Sequence, residues 1–212
     1  MAKGWFTVDE LENAVFKTMK FQGRWYDSFG QPELKGTWII YGRSYNGKTT
    51  FTLQLTKYLS EFVKHKIIYN SLEEGKSESL KLSSIREALS TVRDKIVFGD
   101  RRTIEQVKER LAKQRSPEIV ITDSLQYTDL NKIEYKKLKK EYPHVLWIFI
   151  SHADGKNGET PRGALAKYLQ NDADVKIRVY GFKAFVESRY GGGEEYIIDA
   201  ERAAKYCATI EN

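Results

Sequence analysis

The sequence predicts an α/β fold in which a mainly parallel central sheet is flanked by helices and extended by antiparallel strands at its C-terminal end. Three observations predict it. Short apolar runs rich in β-formers recur at residues 37–41, 66–70, 95–98, 118–122 and 145–150. Helical periodicity fills the gaps, with Phe51, Leu55, Tyr58, Leu59 and Phe62 on one face and Ile104, Val107 and Leu111 on another. After Asp174 the spacing shortens, and 175–180, 182–187 and 196–199 read as strands with little between them. Continuous apolar strands alternating with amphipathic helices mean βαβ units and a sheet covered on both faces.

Taken in order, Thr7-Val8-Asp9-Glu10 reads as a capping box, predicting a helix that runs to about Met19. Residues 21–36 carry Gly, Pro and aromatics and read as a loop leading into the first core strand. The run 132–140, with five lysines, reads as a solvated helix face or as a surface that tracks phosphates. The glycine-rich places 155–163 and 191–193 read as loops within one domain. The expected organisation is a single domain over 1–212, with 1–36 as N-terminal helix and lead-in and 37–212 as core.

Hydrophobic residues make up 41% of the 212 and charged residues 30%, a balance that suits a folded chain rather than a disordered one. The apolar runs are far too short to span a bilayer, and the first residues lack the apolar core of a signal peptide. Cys207 stands alone, so a disulfide or cysteine-zinc framework within the chain is excluded and a cytoplasmic location is expected. The net charge of +6 and a pI near 9.1 permit a nucleic-acid partner without establishing one.

The chemistry-bearing motif is Gly42-Arg43-Ser44-Tyr45-Asn46-Gly47-Lys48-Thr49, which fits G-x-x-x-x-G-K-[ST] between an apolar strand and an amphipathic helix. Backbone N–H groups of such a loop, together with the helix N-terminus that continues through Thr50, make a concave positive site for phosphates. Lys48 is expected to reach the β- and γ-phosphates of ATP, and the Thr49 hydroxyl to ligate Mg²⁺. Ile119-Val120-Ile121-Thr122-Asp123 is an apolar strand ending in an acid, and Asp123 is expected to hold the Mg²⁺ shell at the carboxyl edge of the sheet.

From about Lys35 to Tyr206 the sequence resembles the RecA-type ATPases, among them DnaB-like replicative helicase cores and RadA-like recombination ATPases. Besides the P-loop, four places carry the resemblance. Ile68-Tyr69-Asn70-Ser71-Leu72-Glu73-Glu74 is similar to the family's strand ending in S-L-E or S-G-E-E. Val120-Ile121-Thr122-Asp123-Ser124-Leu125-Gln126 is similar to its D-x-[LI]-Q form of Walker B. Phe149-Ile150-Ser151-His152 resembles its sensor strand. The tract that follows, through Thr160-Pro161-Arg162-Gly163 and Gln170-Asn171-Asp172-Ala173-Asp174, resembles its second DNA-binding loop and acidic turn. Glu187-Ser188-Arg189-Tyr190-Gly191 is similar to the K-x-R-x-G element that reaches a neighbouring subunit's ATP, although Glu187 stands where the family has lysine.

The resemblance implies that Glu73 orients and deprotonates the attacking water, that His152 or Ser151 senses the γ-phosphate, and that Arg189 acts on a neighbouring site. It implies that Lys156 and Arg162 touch DNA, with single-stranded DNA favoured, in a homo-oligomeric ring or filament. The chain lacks the zinc module and the large helical domain of its longer counterparts. It is therefore expected to be a core-only ATP- and Mg²⁺-dependent protein of recombination, repair or replication. A helicase motor or loader, and a KaiC-like protein-interaction switch without DNA contact, are the other readings. No guanine-reading N-K-x-D motif is present, and the resemblance favours adenine.

Overall fold

The computed structural model describes residues 4–210. Its central sheet has the strand order β3-β2-β4-β5-β1-β7-β8-β9. These strands are β1 (Gly36–Gly42), β2 (Ile67–Ser71), β3 (Ile96–Asp100), β4 (Ile119–Asp123), β5 (Leu146–Asp154), β7 (Val175–Tyr180), β8 (Lys183–Ser188) and β9 (Tyr196–Ile197). A two-residue strand, β6 (Thr160–Pro161), folds back on the end of β5. β1 to β5 and β7 run parallel, whereas β8 pairs antiparallel with β7, β9 antiparallel with β8, and β6 antiparallel with β5. The expected antiparallel extension is therefore present but starts one strand later, because β7 joins β1 in parallel after a helical crossover.

Successive strand residues face opposite sides of a sheet, so each apolar run supplies two cores at once. Trp38 and Ile40 of β1, Ile119 and Ile121 of β4, and Leu146, Ile148 and Ile150 of β5 face one layer. That layer contains α2 (Gly23–Phe29), α3 (Lys48–Leu59) and α4 (Glu78–Arg86). Ile39, Tyr41, Val120, Trp147 and Phe149 face the other, built from α5 (Ile104–Leu111), α6 (Lys132–Glu141) and α7 (Ala164–Asp172). Burying such runs at about 25 cal/mol per Å² of apolar surface is the main force holding the layers together.

Three expectations are corrected. The Thr7 capping box forms, but α1 spans only Val8–Glu12 and buries none of its residues. A cap supplies local hydrogen bonds, whereas a short helix without a packed face has little to extend it. Residues 21–36 do not form a plain loop, because they contain α2. Trp25 of α2 stacks on Tyr58 at 4.9 Å and meets Tyr196 at 4.3 Å, so aromatic burial overrides the Gly23 start. Within the tract read as a DNA-binding loop and acidic turn, residues 164–172 form α7, with Ala166 and Leu169 buried. α8 (Ala200–Ile210) closes the chain.

The lysine run becomes α6, which buries Tyr135 and Leu138. Lys139 pairs with Asp172 at 2.8 Å, and Lys132 sits 4.3 Å above the Tyr168 ring. This is a helix face partly engaged by its own chain.

Register sets up the site. Ile40 lies opposite Ile150, Ile150 opposite Asp123, and Asp123 opposite Ser71. The carboxyl ends of β1, β5, β4 and β2 thus arrive at one edge together, where ligands of parallel sheets bind.

Candidate nucleotide site

The loop from Gly42 to Thr49 leaves β1 and enters α3 at that edge. Gly47 is the N-cap of α3 with φ 96°, and no side chain caps this helix. In α1, α4, α5 and α6, by contrast, Thr7, Ser77, Thr103 and Asn131 accept first-turn amides. A helix start without such a cap leaves its first-turn N–H groups available to an anion. A Cβ on Gly42 would lie 2.3 Å from the Val179 carbonyl oxygen, so only glycine lets the loop leave β1 this close to β7.

The loop is held from behind by Asn46, which is nearly fully buried. Its Oδ1 accepts the Gly181 N–H at 2.8 Å, its Nδ2 donates to the Ser44 carbonyl at 3.0 Å, and its carbonyl accepts the Phe182 N–H at 3.2 Å. Tyr45 at the apex is 97% exposed. Thr49 and Thr50 lie half-buried in the first turn, and Arg86 of α4 donates to the Thr50 hydroxyl at 3.1 Å.

Lys48 Nζ donates to the Arg43 carbonyl at 3.1 Å. Burial lowers its pKa, while Asp123 and Glu73 pull it back up and Arg162 adds to the lowering. The Asp123 carboxyl accepts the Tyr69 hydroxyl at 2.6 Å. Burial pushes its pKa up to about 6; the Tyr69 bond and Lys48 oppose the rise, and Glu73 adds to it. Among the described residues Asp123 makes no ion pair.

Glu73 follows β2 on a short loop, and its N–H donates to the Asp123 carbonyl at 3.1 Å. Its carboxylate lies 3.2 Å from His152 Nε2. Burial lowers the His152 pKa; Glu73 opposes this, and Lys48 and Arg162 reinforce it. His152 is then neutral at pH 7, and its Nε2–H donates to Glu73 as a hydrogen bond rather than an ion pair.

The glycine-rich segment after β5 lies against this group. Arg43 Nη1 donates to the Lys156 carbonyl at 3.1 Å, and Arg178 Nη1 donates to that of Asn157 at 3.2 Å. Arg162 is exposed and pairs through Nε with Asp154 at 2.8 Å. The structure therefore brings together Gly42 to Thr50, Glu73, Asp123, His152, Lys156 and Arg162. It places Arg189 elsewhere: at the opposite edge, 63% exposed, 3.4 Å from Asp174.

Tyr69 and Gln126 support this site from outside the P-loop, Tyr69 through Asp123 and Gln126 through the strand end and loop, and sequence reasoning gave neither a role. Gln126 occupies the single turn Leu125–Tyr127 after β4 and bonds to Ser151, His152 and Arg162. A tyrosine inside an apolar strand carries no signal of a bond to Asp123, since the pairing of β2 with β4 creates it.

No family model matches the chain, and no curated protein matches it. Solved structures do. One solved ATPase domain matches at 17% identity with a TM-score of 0.55, over 76% of this chain and 80% of that one. The flagellar accessory protein FlaH from Methanocaldococcus jannaschii matches at 13% identity and TM-score 0.59, over 87% and 96%. The KaiC-like protein PH0186 from Pyrococcus horikoshii OT3 matches at 18% and 0.51, over 78% and 85%. No helix among the described residues is long and apolar enough to cross a membrane. With the P-loop at the carboxyl end of β1 and the acid-tipped β4 two strands away, these likenesses show that the chain has the core fold of the RecA-type P-loop ATPases.

Proposed function

We propose that the chain binds and hydrolyses ATP with Mg²⁺ and uses the nucleotide state to control contact with DNA, single-stranded DNA being favoured, in recombination, repair or replication. The observation that carries this reading is the continuity of the site: Asp123 bonds to Glu73, Glu73 to His152, His152 to Arg162 of the 154–162 loop, and that loop to Arg43 of the P-loop. The glycine start of α3 fits a triphosphate, and a half-buried acid that makes no ion pair among the described residues fits a metal shell.

Mg²⁺ would be held by the Thr49 hydroxyl and the shell of Asp123, and when bound it offsets charge on the phosphates. Among the described residues no group of three or more His, Cys, Asp or Glu converges on a metal, and a metal held largely by phosphate and water needs none. Lys48 binds the phosphate oxygens. Glu73 orients the attacking water and takes its proton once His152 turns from it to the γ-phosphate. The outward-facing Arg189 suits a role on a neighbouring subunit's nucleotide. An arginine finger contributes about 10³–10⁵ in rate, so Arg189→Ala lowers turnover in assembled protein and leaves dilute monomer unchanged.

The test is titration with single-stranded DNA at two salt concentrations, with and without a non-hydrolysable ATP analogue, alongside particle size. ATP-dependent affinity with a steep salt slope supports the reading. Absence of DNA binding at low salt, with nucleotide bound, replaces it with a KaiC-like nucleotide-gated protein switch, the reading to which the likeness to a KaiC-like protein lends weight.

A further inference from the structure

We propose that Gln126 is a positioning residue that transmits the state of the nucleotide site to the 154–162 loop. The inference rests on the nucleotide-binding reading above and adds the part that carries the signal. Gln126 Nε2 donates to Ser151 Oγ and to the Arg162 carbonyl, both at 2.8 Å. Its Oε1 accepts the His152 backbone N–H at 3.2 Å. The Arg162 N–H in turn donates to the His152 carbonyl at 2.8 Å, and so does Ser151 Oγ at 2.8 Å.

Two of these partners fix which way the amide points. The Arg162 carbonyl can only accept, so it must face the NH₂ group. The His152 N–H can only donate, so it must face the oxygen. One side chain, three residues beyond Asp123, thereby joins the start of the loop at His152 to its far end at Arg162. The short β5–β6 pairing, Ala153 with Pro161 and Asp154 with Thr160, closes the same hairpin from inside.

Ser151 is fully buried, so its hydroxyl has no water to exchange for Gln126. When His152 leaves Glu73 to meet a phosphate, its backbone carries the Gln126 oxygen with it, and the amide pulls on Arg162. Aliphatic packing at position 126 would leave the His152 and Arg162 ends joined only through the hairpin's own backbone bonds, with no tie to the turn that follows Asp123. A two-state element biased from both ends is what coupling between sites requires.

The test uses the full chain with Gln126→Met, which keeps length without polar bonds, and Gln126→Glu, which keeps the acceptor but turns a carboxylate toward the Arg162 carbonyl. Hydrogen exchange is followed with and without Mg²⁺ and a non-hydrolysable ATP analogue, together with analogue affinity and Tm. In the wild type the analogue is expected to change exchange across 155–163 by about fivefold or more. In both variants this ratio falls to about one while analogue affinity and Tm hold. Variants that respond like wild type, or a wild-type loop that ignores bound analogue, overturn the proposal and leave the ATPase reading standing. Loss of analogue binding in both variants makes Gln126 merely structural and also overturns it. A wild type that binds no analogue removes the ATPase reading and this inference with it.

Discussion

The two edges of the sheet each hold a carboxyl group bonded to a tyrosine hydroxyl, and the two acids are shifted in opposite directions. At the carboxyl edge Tyr69 donates to Asp123 at 2.6 Å. At the amino edge Tyr135 donates to Asp172 at 2.7 Å and meets Thr37 Oγ1 at 3.0 Å. Burial raises both acids. For Asp172 the Lys139 ammonium at 2.8 Å, the Tyr135 hydroxyl and Arg189 outweigh burial, and its pKa falls below the ordinary value. For Asp123 burial wins, because Glu73 and Glu74 add repulsion and the Tyr69 bond and the Lys48 charge together do not offset it. The amino-edge acid is completed by its own chain. The carboxyl-edge acid is left short of positive charge, which suits the proposed metal and phosphate site.

Breaking the carboxyl edge should have the largest effects. Lys48→Ala is expected to lower ATP turnover by about 10³-fold, with weakened nucleotide binding, measured by phosphate release and calorimetry; unchanged hydrolysis would sink the site assignment. Glu73→Gln is expected to cost about 10²-fold in turnover while nucleotide affinity persists. Affinity falling in step with rate would instead make Glu73 a binding group.

A pH series sharpens the contrast. The folded-state pKa of Asp123, about 6, lies above its unfolded value, so its contribution favours the fold at low pH and is lost as pH rises through about 6. Asp172 has the reverse sign. Its contribution is present above the unfolded pKa, about 3.9, and is lost as pH falls through its lowered folded value. Mg²⁺-dependent nucleotide affinity should rise through about pH 6 as Asp123 ionises. Tyr69→Phe removes a bond that favours the carboxylate and should move that rise to higher pH, costing about tenfold in affinity near pH 6. A profile that does not move would show that Asp123 takes no part in metal binding. The smallest effect belongs to the amino edge, where Tyr135→Phe should lower unfolding free energy by about 1–2 kcal/mol in urea titrations and leave turnover intact.

The parallel strands and the phosphate loop were legible because their signals are local. An unbroken apolar run such as Val120–Ile121 has no partner but a two-faced core, and the loop's glycines and Lys48 serve chemistry that fixes their spacing. What escaped depends on partners distant in sequence. α2 exists because Trp25 finds Tyr58 and Tyr196, and α1 stops early because nothing covers it. α7 escaped because the glycines before it drew the tract toward a loop, and its packed face shows only once Ala166 and Leu169 meet the sheet. The links from Tyr69 to Asp123 and from Gln126 to Arg162 arise only when separate strands align.

Asn46 binds the phosphate loop to Gly181 and Phe182, residues contributed from the far end of the sequence. On the proposed reading, nucleotide that tightened the loop would also clamp the β7–β8 hairpin, although no ligand atom need reach it. Limited proteolysis should register this as nucleotide-dependent resistance at the β7–β8 turn. Cutting there should, conversely, slacken the grip on phosphate from behind.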